Sequence, residues 1–200
     1  MIAIIDYGAG NLHSVKNALD FLDAPSIVTG SAEEILSADK VILPGVGAFG
    51  NAMQCLRKNG LDKVVLKTAD KGTPLLGICL GLHLMFEGSE ESPDVKGLGL
   101  FKGKIVKIPD CGLKIPHMGW NNLEITKDSR ILKNIGNNPF VYFVHSYYLK
   151  AEDESIVSAY TDYGEKLAVA VEDKNVFATQ FHPEKSGDTG MQILKNFTEL

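Results

Sequence analysis

Thr73-Pro74-Leu75-Leu76-Gly77-Ile78-Cys79-Leu80-Gly81 runs an apolar segment into a cysteine held between two glycines. A continuous apolar run of this length, opened by a proline and closed by glycine, is the pattern of a strand buried on both faces, as in parallel sheets. The same unit recurs upstream. Ile2–Ile5 are apolar, Asp6-Tyr7-Gly8-Ala9-Gly10-Asn11 breaks the run, and Leu12, Val15, Leu19 and Leu22 follow at helical spacing. Ser26–Thr29 reads as a short strand, Ser31–Leu36 as a helix opened by a serine cap, and Lys40–Leu43 as a buried strand ended by Pro44-Gly45-Val46-Gly47. Helical patterns cover roughly 48–58 and 61–70, and Thr73–Ile78 supplies the fourth strand. Strands alternating with helices in this way predict an α/β fold, with an open, mostly parallel central sheet, right-handed crossovers and helices on both faces.

Downstream the pattern changes. Gly103–Ile108, Asn122–Ile125, Val141–Leu149, Ile156–Tyr160, Ala168–Glu172 and Val176–Thr179 are strand-like and joined by turns, which predicts antiparallel additions in the C-terminal half. Asp173-Lys174-Asn175 fits a hairpin turn, and a last helix over about 188–199 carries Met191, Leu194 and Phe197 on one face. No linker, repeat or low-complexity segment interrupts the chain, so a single domain over residues 1–200 is expected. A chain of 200 residues buries about 70% of its unfolded surface and needs no staple.

Composition narrows the partners. A net charge of −5 offers no basic surface for nucleic acid, which leaves small molecules and proteins. The three cysteines, at 55, 79 and 111, lack CxxC spacing and argue against a disulfide framework or a zinc ribbon. The first residues have no basic region before their apolar run, and no segment reaches membrane-spanning length. Cytoplasm is the expected compartment, with no membrane association.

Gly77-Ile78-Cys79-Leu80-Gly81 has the form G-x-C-x-G, the thiol counterpart of the nucleophile elbow. Glycines let the chain turn tightly, and a helix that starts at the cysteine favours thiolate. The alternative is a buried cysteine packed as a small hydrophobe, which the flanking glycines weaken; Cys55, in a helix pattern, and Cys111, in a Pro-Asp-Cys-Gly loop, have no motif and read as structural or incidental. His182-Pro183-Glu184 supplies a base and a carboxylate; proline restricts the residue before it to extended backbone, so both side chains should leave one face of an extended segment. A carboxylate there fixes the imidazole tautomer and frees the other ring nitrogen to exchange protons with a thiol. The turn Pro44–Gly47, at the carboxyl end of a buried strand, is placed to turn a backbone N–H toward an oxyanion. Zinc is rejected, because His13, His83, His117 and His145 form no ligand set by spacing. A dinucleotide site is rejected too, since His13 stands where the third glycine of the fingerprint belongs.

Pro44-Gly45-Val46-Gly47, Gly77-Ile78-Cys79-Leu80-Gly81 and His182-Pro183-Glu184, in this order, resemble the class I (triad) glutamine amidotransferases, whose fold is flavodoxin-like. Asp6–Asn11, Pro116-His117-Met118-Gly119-Trp120-Asn121, Tyr142-Phe143-Val144-His145-Ser146-Tyr147 and His182–Ser186 extend the resemblance to the glutaminase subunits of imidazole glycerol phosphate synthases, over essentially the whole chain. The resemblance implies hydrolysis of L-glutamine through a Cys79-His182-Glu184 triad, with no cofactor. It implies oxyanion contacts from Val46, Gly47 and Leu80, and substrate contacts from Gly47, His83, Glu91, Ser146 and Tyr147. Asn11, Trp120 and Lys185 would face a separate (β/α)8-barrel synthase subunit, in a heterodimer that uses the ammonia for histidine biosynthesis.

Two departures stand out. His83 occupies a position where the family commonly has glutamine, and Gly187 one where serine is common. Other readings remain open at this stage: Trp120 as a core aromatic, Lys185 as a solvated lysine, Asn11 as a helix N-cap, and Tyr142, Phe143, Tyr147 and Tyr148 as alternating strand packing. The same triad also fits a paralogous subunit that feeds another synthase, or a free-standing cysteine amidase or peptidase.

Overall fold

The computed structural model describes residues 1–200. In chain order the first half contains β1 (Ile2–Ile5), α1 (Leu12–Phe21), β2 (Ser26–Thr29), α2 (Ala32–Ser37), β3 (Lys40–Gly45), α3 (Phe49–Lys58), α4 (Leu61–Asp70), β4 (Leu75–Cys79) and α5 (Leu80–Met85). The second half adds β5 (Gly88–Ser89), β6 (Gly103–Lys107), β7 (His117–Asn122), β8 (Glu124–Ile125), β9 (Phe140–His145), β10 (Tyr147–Ala151), β11 (Val157–Asp162), β12 (Lys166–Asp173), β13 (Val176–Thr179) and α6 (Gly187–Thr198).

An 11-stranded sheet runs in the order β2-β1-β3-β4-β13-β12-β10-β6-β5, with β11 and β8 branching from β12. Its first five strands are all parallel, and β12, β10 and β6 continue it antiparallel. Strand periodicity sorts the two cores. Ala3 and Ile5 face one side, packed with Ile35, Phe49, Met53 and Val65 from α2, α3 and α4. Ile2 and Ile4 face the other, with Val15, Leu19, Ile193 and Phe197 from α1 and α6. Both helical layers are therefore specified by which alternate residues of each strand are apolar, and here both sets are. The Ser31 hydroxyl accepts from the Glu34 N–H and starts α2, as its serine cap predicts.

Four expectations need correction. Val176–Thr179, expected among the antiparallel additions, is inserted parallel beside β4 and is antiparallel only to β12, because a short apolar run carries no mark of the direction of its distant partner. Val141–Leu149 is not one strand: Ser146 separates β9, which pairs with β7 in a small second sheet, from β10 in the main sheet. Asn122–Ile125 is likewise split between the end of β7 and the two-residue β8. Both breaks lie where a chain changes sheets, and a continuous apolar pattern carries no mark of that change. His182 itself is extended, but Pro183–Lys185 forms a 3-10 turn, so His182 and Glu184 meet through a tightened turn and not along an extended segment.

Candidate active site

Three parallel strands end side by side. Gly45 of β3 pairs with Cys79 of β4, and Thr179 of β13 pairs with Ile78. The turn after Gly45, the cysteine, and the segment Gln180-Phe181-His182 consequently emerge together at the carboxyl edge of the sheet, where open α/β sheets place their sites.

Cys79 is the hinge between β4 and α5 and has φ +53°, ψ −106°, a left-handed conformation that costs a non-glycine residue of order 1–3 kcal/mol. The flanking glycines make that turn feasible. A Cβ on Gly81 would lie 1.8 Å from the Leu43 carbonyl oxygen, and one on Gly77 would lie 3.0 Å from the Gly81 carbonyl carbon and 2.8 Å from the Met85 sulfur. The helix can begin directly against β3 only because position 81 has no side chain.

The side chains of His182 and Glu184 are buried, and Nδ1 of the ring lies 2.8 Å from Oε1 of the carboxylate. The Ser186 hydroxyl fixes this turn by donating to the His182 carbonyl (2.6 Å) and accepting from the Tyr142 N–H (3.0 Å), while the His182 N–H donates to the Tyr142 carbonyl (3.1 Å). Burial alone would lower the His182 pKa. Cys79 and Glu184 on either side favour the charged ring more strongly and raise it from the usual 6.5 to about 10. An imidazolium beside the sulfur is the counter-ion a thiolate requires.

These groups open into a cavity of about 350 Å³ lined by Val46, Gly47, Cys79, Leu80, His83, Glu91, Pro116, Val144, His145, Ser146, Tyr147 and His182. Its size suits a small molecule. The cavity thus gathers every residue expected to contact substrate or oxyanion. Gly47 has φ +101°, open to glycine alone, so the turn carrying the candidate oxyanion N–H depends on that residue. The Glu91 carboxylate accepts from the N–H of Phe49, the first residue of α3, at 2.8 Å, which ties the loop after β5 to the oxyanion turn. The carbonyls of Ser146 and Tyr147 are already paired with the Ile108 N–H and with Nδ1 of His145, each at 2.9 Å.

The three remaining candidates lie outside the cavity. Trp120 is 56% exposed, which removes the core reading, and stands edge-on to Tyr142. Lys185 is exposed. Asn11 occupies the N-cap position of α1, yet its amide donates to the Ser14 hydroxyl (2.7 Å) and caps no backbone N–H. Trp120 pairs across strands with Tyr142, and Met118 with Val144, so one face of the small sheet runs from the cavity wall at Val144 to exposed apolar side chains.

The sequence matches the family described as glutamine amidotransferase class-I over residues 3–200. The chain belongs to this family. Among curated relatives of this glutamine amidotransferase, proteins named imidazole glycerol phosphate synthase subunit HisH are 48% identical in Methanocaldococcus jannaschii, over the full length of both chains, and 50% identical in Oceanobacillus iheyensis, over 100% and 99% of the two. A protein of the same name in Bacillus cereus is 53% identical over 98% of this chain and 93% of its own. Solved structures share the fold at lower identity. The structure of PurLQS from Thermotoga maritima aligns with TM-score 0.79 at 18% identity over 99% and 97% of the chains, and a crystal structure of glutamine amidotransferase with 0.77 at 20% over 98% and 99%.

Reading the amidotransferase sequence alone left out several residues of the site. Gln180, fully buried, points its amide nitrogen at the Cys79 sulfur (3.8 Å) and its oxygen at Nε2 of His83 (2.8 Å). His145 and His117 form a buried pair, Nδ1 of His117 to Nε2 of His145 at 2.9 Å. Burial is the main cause that lowers His83 and His117 to about 4 and His145 to about 3, so all three rings are neutral at pH 7. A signal for Gln180 existed, a polar residue placed directly between a buried strand and His182, but strand periodicity assigns such a residue to solvent.

Proposed function

We propose that the chain is the glutaminase subunit of an imidazole glycerol phosphate synthase and that it hydrolyses L-glutamine to glutamate and ammonia. The observation that carries the chemistry is Cys79, held at φ +53° on the strand-to-helix turn, with the buried His182–Glu184 pair beside it in one small cavity. Sequence identity near 50% along the full chain to proteins of that name supports the choice of synthase.

In this reading the Cys79 sulfur attacks the carboxamide carbon of glutamine, and the oxygen becomes an anion held by N–H groups of Gly47 and Leu80, with Val46 shaping the turn. His182 gives its proton to the nitrogen as the C–N bond breaks, which releases ammonia and leaves a γ-glutamyl thioester on Cys79. His182, now neutral, takes a proton from water as the water oxygen attacks the thioester carbon. The C–S bond breaks, glutamate leaves, and the sulfur again faces an imidazolium. Glu184 holds the ring through Nδ1 throughout. Glu91 meets the substrate ammonium, and the backbone at Ser146 and Tyr147 its carboxylate.

Ammonia passes to a (β/α)8-barrel subunit docked on the face that carries Asn11, Trp120 and Lys185. Exposed Met118 and Trp120, 61% and 56% accessible on β7, the strand paired with the one that borders the cavity, give that face the apolar anchors a protein interface uses. The reading is tested by measuring glutamate release with and without the barrel synthase loaded with its nucleotide. Weak turnover alone and strong stimulation by the loaded partner are expected, with both lost in Cys79→Ser. Glutaminase activity that persists in Cys79→Ser would contradict the assigned nucleophile.

A further inference from the structure

Gln180 is fully buried, so its carboxamide has to find partners within the protein, and both ends do. The backbone brings three residues together from two distant segments. Pairing of Thr179 with Ile78 sets the following residue of the β13 segment beside Cys79, and the Gln180 N–H, bonded to the Val169 carbonyl at 2.8 Å, anchors it there. His83 lies four residues beyond Cys79 and one turn along α5, and both residues line the same cavity. The amide of Gln180 spans the space between them.

Its two ends are not equivalent. An amide oxygen only accepts and an amide nitrogen only donates. With the oxygen at Nε2 of His83, the ring donates, and the amide N–H is turned toward the sulfur. The reverse orientation would set amide hydrogens against the ring N–H and an oxygen lone pair against a sulfur that must carry negative charge. With the Gln180 oxygen as its partner at 2.8 Å, Nε2 of His83 carries the single proton of the neutral ring, and this tautomer and the productive amide orientation go together; burial keeps the ring neutral.

We propose that Gln180 donates a hydrogen bond to the Cys79 sulfur and that His83 is the positioning residue that locks the Gln180 amide in the orientation to do so. The proposal rests on the glutaminase reading and deepens it. His182 and Gln180 hold the sulfur in different ways: the imidazolium loses its proton to the departing ammonia, whereas the neutral amide does not titrate and keeps its N–H through both half-reactions. Gln180 thus steadies the sulfur as nucleophile and again as leaving group when the thioester is hydrolysed. His83, which also lines the cavity, thus acts on the nucleophile through Gln180.

The experiment compares wild type with Gln180→Leu, His83→Leu, the double variant and His83→Gln. One readout needs no substrate: the rate of Cys79 alkylation by iodoacetamide at pH 7, followed by mass of the Cys79 peptide so that Cys55 and Cys111 do not interfere. The other is kcat and KM for glutamine with the loaded barrel partner. Each leucine variant should slow alkylation and lower kcat about ten-fold or more, the loss expected for a hydrogen bond to a charged group, with KM within about two-fold of wild type. The double variant should be no worse than Gln180→Leu alone, because removing the anchor matters only while the amide is present. His83→Gln, which keeps an N–H for the Gln180 oxygen, should stay within about three-fold of wild type. If Gln180→Leu does not fold, Gln180→Met carries the same comparison. A raised KM with unchanged alkylation in His83→Leu, or additive losses in the double variant, would overturn the proposal. A wild-type chain that releases no glutamate but shows the stated alkylation pattern would overturn the glutaminase reading and leave the Gln180–His83 contact supported.

Discussion

Acidification from pH 7 to pH 5 should destabilise the fold through the imidazoles that burial holds neutral. His83 and His117 are lowered to about 4 and His145 to about 3. In the unfolded chain these rings titrate near 6.5, so between pH 7 and 5 the unfolded state takes up protons that the folded state does not. Stability is therefore complete above about 6.5 and is lost as the pH falls toward the folded values. Integrated between pH 7 and 5, the loss is about 2 kcal/mol per ring, or about 6 kcal/mol for the three. His182 acts in the opposite sense. Its pKa is raised to about 10, so its contribution is complete below 6.5 and disappears as the pH rises through 10; over the same acid step it returns about 1 kcal/mol. The net loss of about 5 kcal/mol is comparable to the whole stability of many domains, and few carboxylates change protonation above pH 5. Urea unfolding followed by circular dichroism at pH 7, 6 and 5 measures it. His83→Gln keeps a polar side chain but cannot titrate, and its loss should be smaller than that of wild type by about 2 kcal/mol. A wild-type change below about 1 kcal/mol, or identical losses in wild type and His83→Gln, would refute the reasoning.

Gly81→Ala should cost about 3–5 kcal/mol in urea unfolding, because its Cβ meets the Leu43 carbonyl at 1.8 Å and backbone must move. Gly77→Ala should cost less, since the Met85 side chain it meets can rotate aside and the Gly81 carbonyl carbon, at 3.0 Å, need give by only a few tenths of an ångström. Ser186→Ala leaves the half-buried Tyr142 N–H without its acceptor and should cost about 1–2 kcal/mol, with a fall in kcat measured by glutamate release as the His182 turn loosens. Glu184→Gln should lower kcat about 100-fold or more in that assay while the urea midpoint shows the chain still folded, because an amide holds the ring without stabilising its charge. Trp120→Ala should weaken binding of the barrel subunit about ten-fold or more by titration calorimetry and leave stability nearly unchanged, since the side chain is 56% exposed.

The parallel half of the fold was legible because its signals are local. β1, β2 and the helices to α4 fall within a residue or two of their expected bounds, and Ser31 caps α2 as its position predicts. Lys174, at φ +50°, turns the β12–β13 hairpin expected at Asp173-Lys174-Asn175. Pairing between distant strands was not legible. Nothing local in Val176–Thr179 says that it inserts parallel beside β4, nor in Ser146 that the chain leaves one sheet for another. The triad residues were recognisable from their own motifs, but the contacts that depend on those pairings, Gln180 to Cys79 and His117 to His145, were not.

The distribution of buried polar groups connects these observations. Four of the five histidines are buried, and all four belong to the site or to the pair that backs it. A buried imidazole contributes less to stability than an apolar residue of similar volume, and at acid pH the three that burial holds neutral, His83, His117 and His145, oppose folding. Thr179, Gln180 and Ser186 add three more fully or nearly fully buried polar side chains along the same stretch of backbone. The buried polar side chains elsewhere, among them Thr68, Ser158, Thr161 and Asn196, carry no group that titrates near neutral pH. The carboxyl edge of the sheet therefore concentrates both the strained backbone at Cys79 and the polar burial that makes the fold acid-sensitive, while the apolar layers supply the stability that offsets them. Substitutions that replace these polar groups by apolar ones of equal size, such as Gln180→Leu, should for this reason weaken activity far more than they weaken the fold. That separation is the mark of a polar group retained for catalysis rather than for stability.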